Sequence, residues 1–214
     1  VARTALFGGS FNPIHYGHLL LADEVRERLG LARVIFMPNG VPPHKPAGDV
    51  APAADRYAMV KLAIADNPAF EVSDLEVRRA GPSYTIDTIE ALGLPPAALF
   101  LMIGSETFLD LLSWREPRRI AERCRIVVVP RAGSAFDPDG AAARKVVRGI
   151  GADGIARAED GVPERGVIVV HATSLPLSAS DIRARAAAGA SLAYRVPPAV
   201  AAYIADRRLY RGPA

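Results

Sequence analysis

The sequence reads as an α/β protein. We expect one domain, with an open parallel sheet and crossover helices over about residues 1–175 and a small helical segment over about 176–214. Three features point there. Short β-branched runs alternate with stretches of helical periodicity, the pattern of strand–helix–strand crossovers. The 214 residues, half of them hydrophobic and 23% charged, suffice for one such core. Clusters at 8–18, 104–106 and 130–131 follow strand-like runs, at the carboxyl ends where sheets of this kind bind ligands.

Each element has its own signal. Thr4–Phe7 is the first strand. His18–Leu29 turns as a helix, with Ala22, Val25 and Leu29 three and four apart. Arg33–Met37 is a strand stopped by Pro38-Asn39-Gly40. A proline-rich loop, Val41–Ala53, precedes a helix over Asp55–Asp66 and a short strand over Phe70–Ser73. Ser83 or Thr85 can cap a helix that Gly93 ends after Leu92. Leu99–Ile103, Arg125–Val129 and Val167–Val170 are apolar strands. Residues 132–165 carry the weakest pattern and read as helix plus a mobile loop. Ser180–Ala188 and Pro198–Arg207 are helices.

Net charge is +3, a slight excess that suits anionic small molecules better than nucleic acid. The arginines of 115–125 and 144–157 lack interleaved aromatics and read as solvated faces. The sole cysteine, Cys124, lies in a strand-like run and reads as a buried thiol. No apolar run has the length of a membrane span, and a reducing cytoplasm is the expected compartment. The dinucleotide fingerprint and the P-loop are both absent.

The chemistry concentrates in two places. Gly8-Gly9-Ser10-Phe11 and His15-Tyr16-Gly17-His18 follow the first strand. Glycines admit close backbone approach to a ligand, and two histidines three apart share the face of an incipient helix. Far along the chain, Ser178-Ala179-Ser180-Asp181-Ile182-Arg183 opens a helix. A serine cap there leaves N–H donors for an anion, and an arginine adds a fixed charge. Read singly, each histidine is a cap or a packed core group, and Ser178 is a plain N-cap.

Taken together, these residues resemble the nucleotidylyltransferase superfamily, marked by H-x-G-H after a first strand and a late Ser-rich turn leading to Ile-Arg. Further stretches narrow the resemblance to the bacterial nicotinate-mononucleotide adenylyltransferases. They are Pro42-Pro43-His44-Lys45, Ser83-Tyr84-Thr85, Gly104-Ser105-Glu106, Trp114-Arg115, Val129-Pro130-Arg131, and the tail from Arg195-Val196-Pro197 to Leu209-Tyr210. The likeness runs along nearly the whole chain and thins between about 132 and 165.

The resemblance implies a Rossmann-like nucleotidylyltransferase fold. It also implies adenylyl transfer from ATP to nicotinate mononucleotide with Mg²⁺, yielding nicotinate adenine dinucleotide. His15, His18 and Lys45 would be the catalytic residues. Gly8, Gly9, Ser10, Phe11, Gly104, Glu106, Ser178, Ser180 and Arg183 would bind ATP. Asn39, Lys45, Thr85, Trp114 and Arg131 would bind the mononucleotide, with Trp114 stacked on its cationic ring. Neither a nucleic acid nor a membrane is an expected partner, and the sequence leaves the oligomeric state open. The sequence departs from the family pattern twice. Glu106 stands where Asp is common, moving the carboxylate by about 1.5 Å. Ala179 replaces a second hydroxyl. Other acceptors, such as nicotinamide mononucleotide, and a nucleotide-sensing module without turnover are the alternative readings.

Overall fold

The computed structural model describes residues 2–40, 50–131, 133–163 and 166–211. Seven strands, β1 (Thr4–Gly9), β2 (Arg33–Pro38), β3 (Phe70–Val72), β4 (Leu99–Gly104), β5 (Arg125–Val129), β6 (Ile155–Arg157) and β7 (Val167–Val169), form one sheet in the order β3-β2-β1-β4-β5-β7-β6. The ladders β1–β4, β4–β5, β5–β7 and β6–β7 are parallel. The order runs down to β1 and then climbs from β4, so the topology reverses between these two neighbours. In such sheets ligands lie beyond the carboxyl ends of the strands at the reversal. Strands β4, β5 and β7 are buried almost throughout, which explains their unbroken apolar sequences, since both faces are covered.

The helices are α1 (Tyr16–Arg28), α2 (Ala53–Ala63), α3 (Thr85–Leu92), α4 (Ser105–Leu109), α5 (Pro117–Arg123), α6 (Ala141–Ile150), α7 (Ala179–Ala187) and α8 (Pro198–Asp206). Gly93 ends α3 in the left-handed conformation, as its position predicts. The start of α3 differs from expectation. Tyr84, not Ser83 or Thr85, occupies the cap, and it makes no side-chain cap bond. The stretch 132–165 holds the expected helix, α6, and in addition the edge strand β6. Helix α5 has a readable signal in retrospect, because Pro117 sits in its first turn.

The contacts group the chain into two compact units. The first comprises residues 1–8, 23–35 and 84–174, with a core that includes Phe100, Leu101, Phe108, Ile126, Val127, Ile150 and Ile168. Arg125 belongs to this interior and corrects the solvated-face reading of 115–125. It is 6% exposed, donates from Nε to the Pro163 carbonyl at 2.6 Å and from Nη1 to the Ala97 carbonyl, and lies over the Phe100 ring. Arg115 and Arg119 are exposed, paired with Asp87, Glu90 and Glu116.

The second unit comprises residues 9–22, 36–83 and 175–214. Its core includes Phe11, Ile14, Phe36, Met59, Ile182, Val200 and Ile204. Helices α2 and α8 pack together, fastened by the buried Asp55. That carboxylate accepts from the Tyr203 hydroxyl at 2.8 Å and from Arg207 Nε at 3.2 Å.

Candidate active site

The second unit gathers the histidine turn and the late serine turn. His15 is buried, and its ring stacks on that of His18 with centroids 3.7 Å apart. Gly17 makes this stack possible. A Cβ there would stand 3.0 Å from His15 Nδ1 and 3.1 Å from Cε1, tighter than ordinary contacts. The glycine of H-x-G-H is thus set by the imidazole it must admit. The His15 backbone N–H donates to His18 Nδ1 at 3.3 Å. A neutral imidazole that accepts at Nδ1 carries its proton on Nε2, so His18 presents an Nε2–H donor. Phe11 backs His18 edge-on, with centroids 5.2 Å apart.

The two glycines that end β1 have different reasons. A Cβ on Gly8 would meet nothing within 4 Å, so open space faces it. A Cβ on Gly9 would lie 3.3 Å from the Phe11 ring, so packing alone favours glycine there.

Helix α7 starts at Ala179, one residue before the expected Ser180, because Ser178 is the cap. Its Oγ accepts the Asp181 N–H at 3.1 Å and pairs with Ser180 Oγ at 3.0 Å. The first intrahelical bond runs from Ile182 N–H to Ser178 O at 3.1 Å. The N–H groups of Ala179 and Ser180 precede it and supply the donors of a helix N-terminus. Arg183 joins this turn to the first one. Its Nη1 donates to the Asn12 carbonyl at 2.9 Å across 171 positions of sequence. Leu177 Cβ also lies 3.9 Å from where a Cβ on Gly17 would be.

Beneath this cluster lies a buried guanidinium, that of Arg56 on α2. Arg56 is 1% exposed and makes five hydrogen bonds, to the carbonyls of Ala51, Ser10, Asn39 and Gly40 and to Asn39 Oδ1, at 2.7–3.0 Å. Burial draws its pKa below the usual arginine range, and the Tyr210 phenol opposes that shift. Asn39 therefore has its side-chain oxygen committed to Arg56, and its N–H donates to Gly9 O at 3.0 Å. Ser10 contributes its carbonyl to the same guanidinium. Lys45 lies outside the described residues, in 41–49.

Asn12 is a second junction, one that sequence reasoning missed. It is 3% exposed, and its Oδ1 accepts from the Ala51 N–H at 3.1 Å and the Tyr210 hydroxyl at 2.9 Å. Burial pushes the Tyr210 phenol well above its ordinary range, with Arg183 and Arg56 pulling it back and Asp55 adding to the rise. It stays an O–H donor at neutral pH.

The remaining expected residues belong to the first unit. Gly104 ends β4 and caps α4, and exposed Glu106 turns Oε2 to 3.6 Å from where a Cβ on Gly104 would be. Thr85 begins α3. Half-buried Trp114 follows a single 3-10 turn, Leu111–Ser113, and the neighbouring Arg115 guanidinium sits 4.9 Å from the Tyr84 ring centroid. Arg131 is exposed just past β5. Its loop is fixed from behind, since buried Ser105 Oγ and Ser134 Oγ are 3.2 Å apart and Phe108 meets Phe136 edge-on.

Imidazole and guanidinium donors gathered beside a capped helix start suit the binding of a phosphate chain, and the sheet reversal is that of a nucleotide-binding α/β protein. The comparisons agree. The sequence matches the cytidylyltransferase-like pattern over residues 6–185. It is similar to the probable nicotinate-nucleotide adenylyltransferase of Geotalea uraniireducens (strain Rf4), 44% identical over 213 residues that span 97% of this chain and 98% of that one. The protein of the same name from Synechococcus sp. (strain JA-3-3Ab) is 41% identical, spanning 99% and 96%. The chain belongs to the cytidylyltransferase-like family and, within it, to the group of these nicotinate-nucleotide adenylyltransferase relatives. Among solved structures, the Plasmodium falciparum nicotinic acid mononucleotide adenylyltransferase complexed with NaAD has a TM-score of 0.72 at 16% identity, covering 98% of both chains. The same enzyme complexed with APC gives 0.70 at 15%. These two show the fold.

Proposed function

We propose that this protein transfers the adenylyl group of ATP to nicotinate mononucleotide, forming nicotinate adenine dinucleotide and pyrophosphate in NAD biosynthesis. The observation that carries the reading is the 2.9 Å bond from Arg183 to Asn12, which joins the late helix start to the histidine turn. In the reaction a 5′-phosphate oxygen of the mononucleotide attacks the α-phosphorus. The bond to the β-phosphate bridging oxygen breaks, and pyrophosphate departs with that electron pair. Catalysis of this kind needs alignment of anions and stabilisation of charge on the transferring group. His18 Nε2–H is a donor suited to the α-phosphate oxygens, with His15 stacked behind it. Ser178, Ser180, the N–H groups of Ala179 and Ser180, and Arg183 suit the β and γ phosphates. Gly8 and Gly9 at the end of β1, Ser10 and Phe11 just after it, and Gly104 and Glu106 are the further proposed ATP contacts, the last two for the adenosine side.

Thr85, Trp114, Arg131 and Asn39 are the proposed mononucleotide contacts, and Lys45 the proposed phosphate cation. Among the described residues no group of three or more His, Cys, Asp or Glu side chains is placed to hold a metal ion. We propose that Mg²⁺ is held chiefly by phosphate oxygens and water, its common mode, and supplies charge neutralisation on the triphosphate. The proposed setting is the cytoplasm. In support, the sequence holds a single cysteine, Cys124, and so no intrachain disulfide. No described helix is long and apolar enough to cross a membrane.

The test is product identity by mass spectrometry with ATP, Mg²⁺ and either the acid or the amide mononucleotide. The deamido dinucleotide with pyrophosphate is expected. Saturable ATP binding without pyrophosphate release, or preference for the amide, overturns the reading.

A further inference from the structure

We propose that the Tyr210 hydroxyl is a positioning group for adenylyl transfer, acting through Asn12 on the segment that leads to His15 and on Arg183. The inference rests on the reaction proposed above and assigns a role beyond it to a residue outside the proposed substrate contacts.

The argument begins with the stretch Ser10–Asn12, between the end of β1 and the histidine pair. Three partners distant in sequence grip it. Arg56 Nη1 takes the Ser10 carbonyl at 2.8 Å, Arg183 Nη1 takes the Asn12 carbonyl at 2.9 Å, and Tyr210 donates to Asn12 Oδ1 at 2.9 Å. They lie 46, 171 and 198 positions away. An amide oxygen has two lone pairs. Tyr210 and the Ala51 N–H, at 3.1 Å, occupy both sides of Asn12 Oδ1 and so fix the side-chain plane. With that plane fixed, the Asn12 peptide is held where its carbonyl meets Arg183, and His15 follows three residues on.

Two further observations separate this role from general support of the fold. The segment bearing Tyr210 is already fastened by other bonds, since Tyr203 and Arg207 both hold Asp55. Loss of the Tyr210 oxygen therefore does not release α8 from α2. Tyr210 also adopts φ +63°, the left-handed region that non-glycine residues seldom enter. A residue held there, with its hydroxyl on the loop of the candidate site, fits a positional demand.

The experiment compares wild type, Tyr210→Phe, Arg183→Ala and the double variant in steady-state turnover of ATP and nicotinate mononucleotide, with melting temperatures alongside. Tyr210→Phe is expected to lower kcat about tenfold while each KM moves less than about threefold, because a small misplacement of reacting groups costs rate before affinity. Its melting temperature should stay within about 2 °C. In the Arg183→Ala background the same change should cost less than about twofold, since the relay is already cut. An unchanged kcat in Tyr210→Phe overturns the proposal. So does a fall in kcat that matches a fall in melting temperature and is equal in both backgrounds, the sign of fold support alone. If Tyr210→Phe does not fold, Asn12→Leu removes the same bond from its other end. It should reproduce the kcat loss, and a normal kcat would overturn the proposal. Wild type that forms no dinucleotide would overturn the reaction itself, an outcome separate from all of these.

Discussion

Gly17 shows how a single residue carries the site. Its missing Cβ is the space in which His15 lies, with only 3.0 Å between them. Gly17→Ala should displace the imidazole and lower kcat by about 100-fold, since misplacement by about 1 Å has that scale of cost. Steady-state kinetics with a melting curve checks this, and an unchanged kcat would show that the stacked pair tolerates the shift. His18→Ala should reduce kcat far more than ATP affinity, because the Nε2–H bond to the α-phosphate is proposed to strengthen in the transition state. Equal losses in kcat and in ATP binding, measured by titration, would remove that role. Trp114→Ala should raise KM for the mononucleotide and leave that for ATP nearly unchanged, and the reverse pattern would reassign the pocket.

Among elements, α2 and α7 matter most, and they differ in kind. The N-terminus of α7 is built from local chemistry. Ser178 caps it, and removing that oxygen costs about 1 kcal/mol. Helix α2 instead contributes Arg56, whose donors satisfy carbonyls on the Ser10, Asn39–Gly40 and Ala51 segments. Arg56→Met keeps volume but strands those carbonyls, and should destabilise the fold by about 3 kcal/mol or more. Urea denaturation measures the loss, and a change below about 1 kcal/mol would mean that water replaces the guanidinium. The elements themselves differ in how legible they were. Strands β4 and β5 announce themselves as unbroken apolar runs because they are buried on both faces. The edge strand β6 does not, because Ile155–Arg157 is only 3 residues long, and its pairing with β7 is what makes it a strand.

At the scale of the whole molecule, stability should fall in alkali. Burial raises the Cys124 thiol from its ordinary 9.0 to about 12. Between these values the unfolded chain has released its proton and the folded chain keeps it. The thiol's contribution is complete below about pH 9 and declines by about 1.4 kcal/mol per pH unit above it. Tyr203 and Tyr210, both raised chiefly by burial, add in the same direction above the ordinary tyrosine pKa. Denaturation midpoints at about pH 8 and pH 10 should therefore drop, and Cys124→Ala should flatten part of the slope. A midpoint that rises with pH would contradict the assigned burial.

The chain by itself determined what depends on neighbours in sequence. That covers the alternation of strands and helices, the Gly93 stop, the serine cap of α7, and the residue types proposed to bind phosphate. These follow from side-chain period, backbone freedom and hydrogen-bonding inventory, all local quantities. Only tertiary structure decided that Arg183 reaches Asn12, that Gly9 yields to Phe11 rather than to a ligand alone, and that Arg56, Asn12 and Tyr210 knit four distant segments. A buried polar group takes whichever partner folding brings to it, and a linear sequence does not specify which carbonyl a guanidinium will meet.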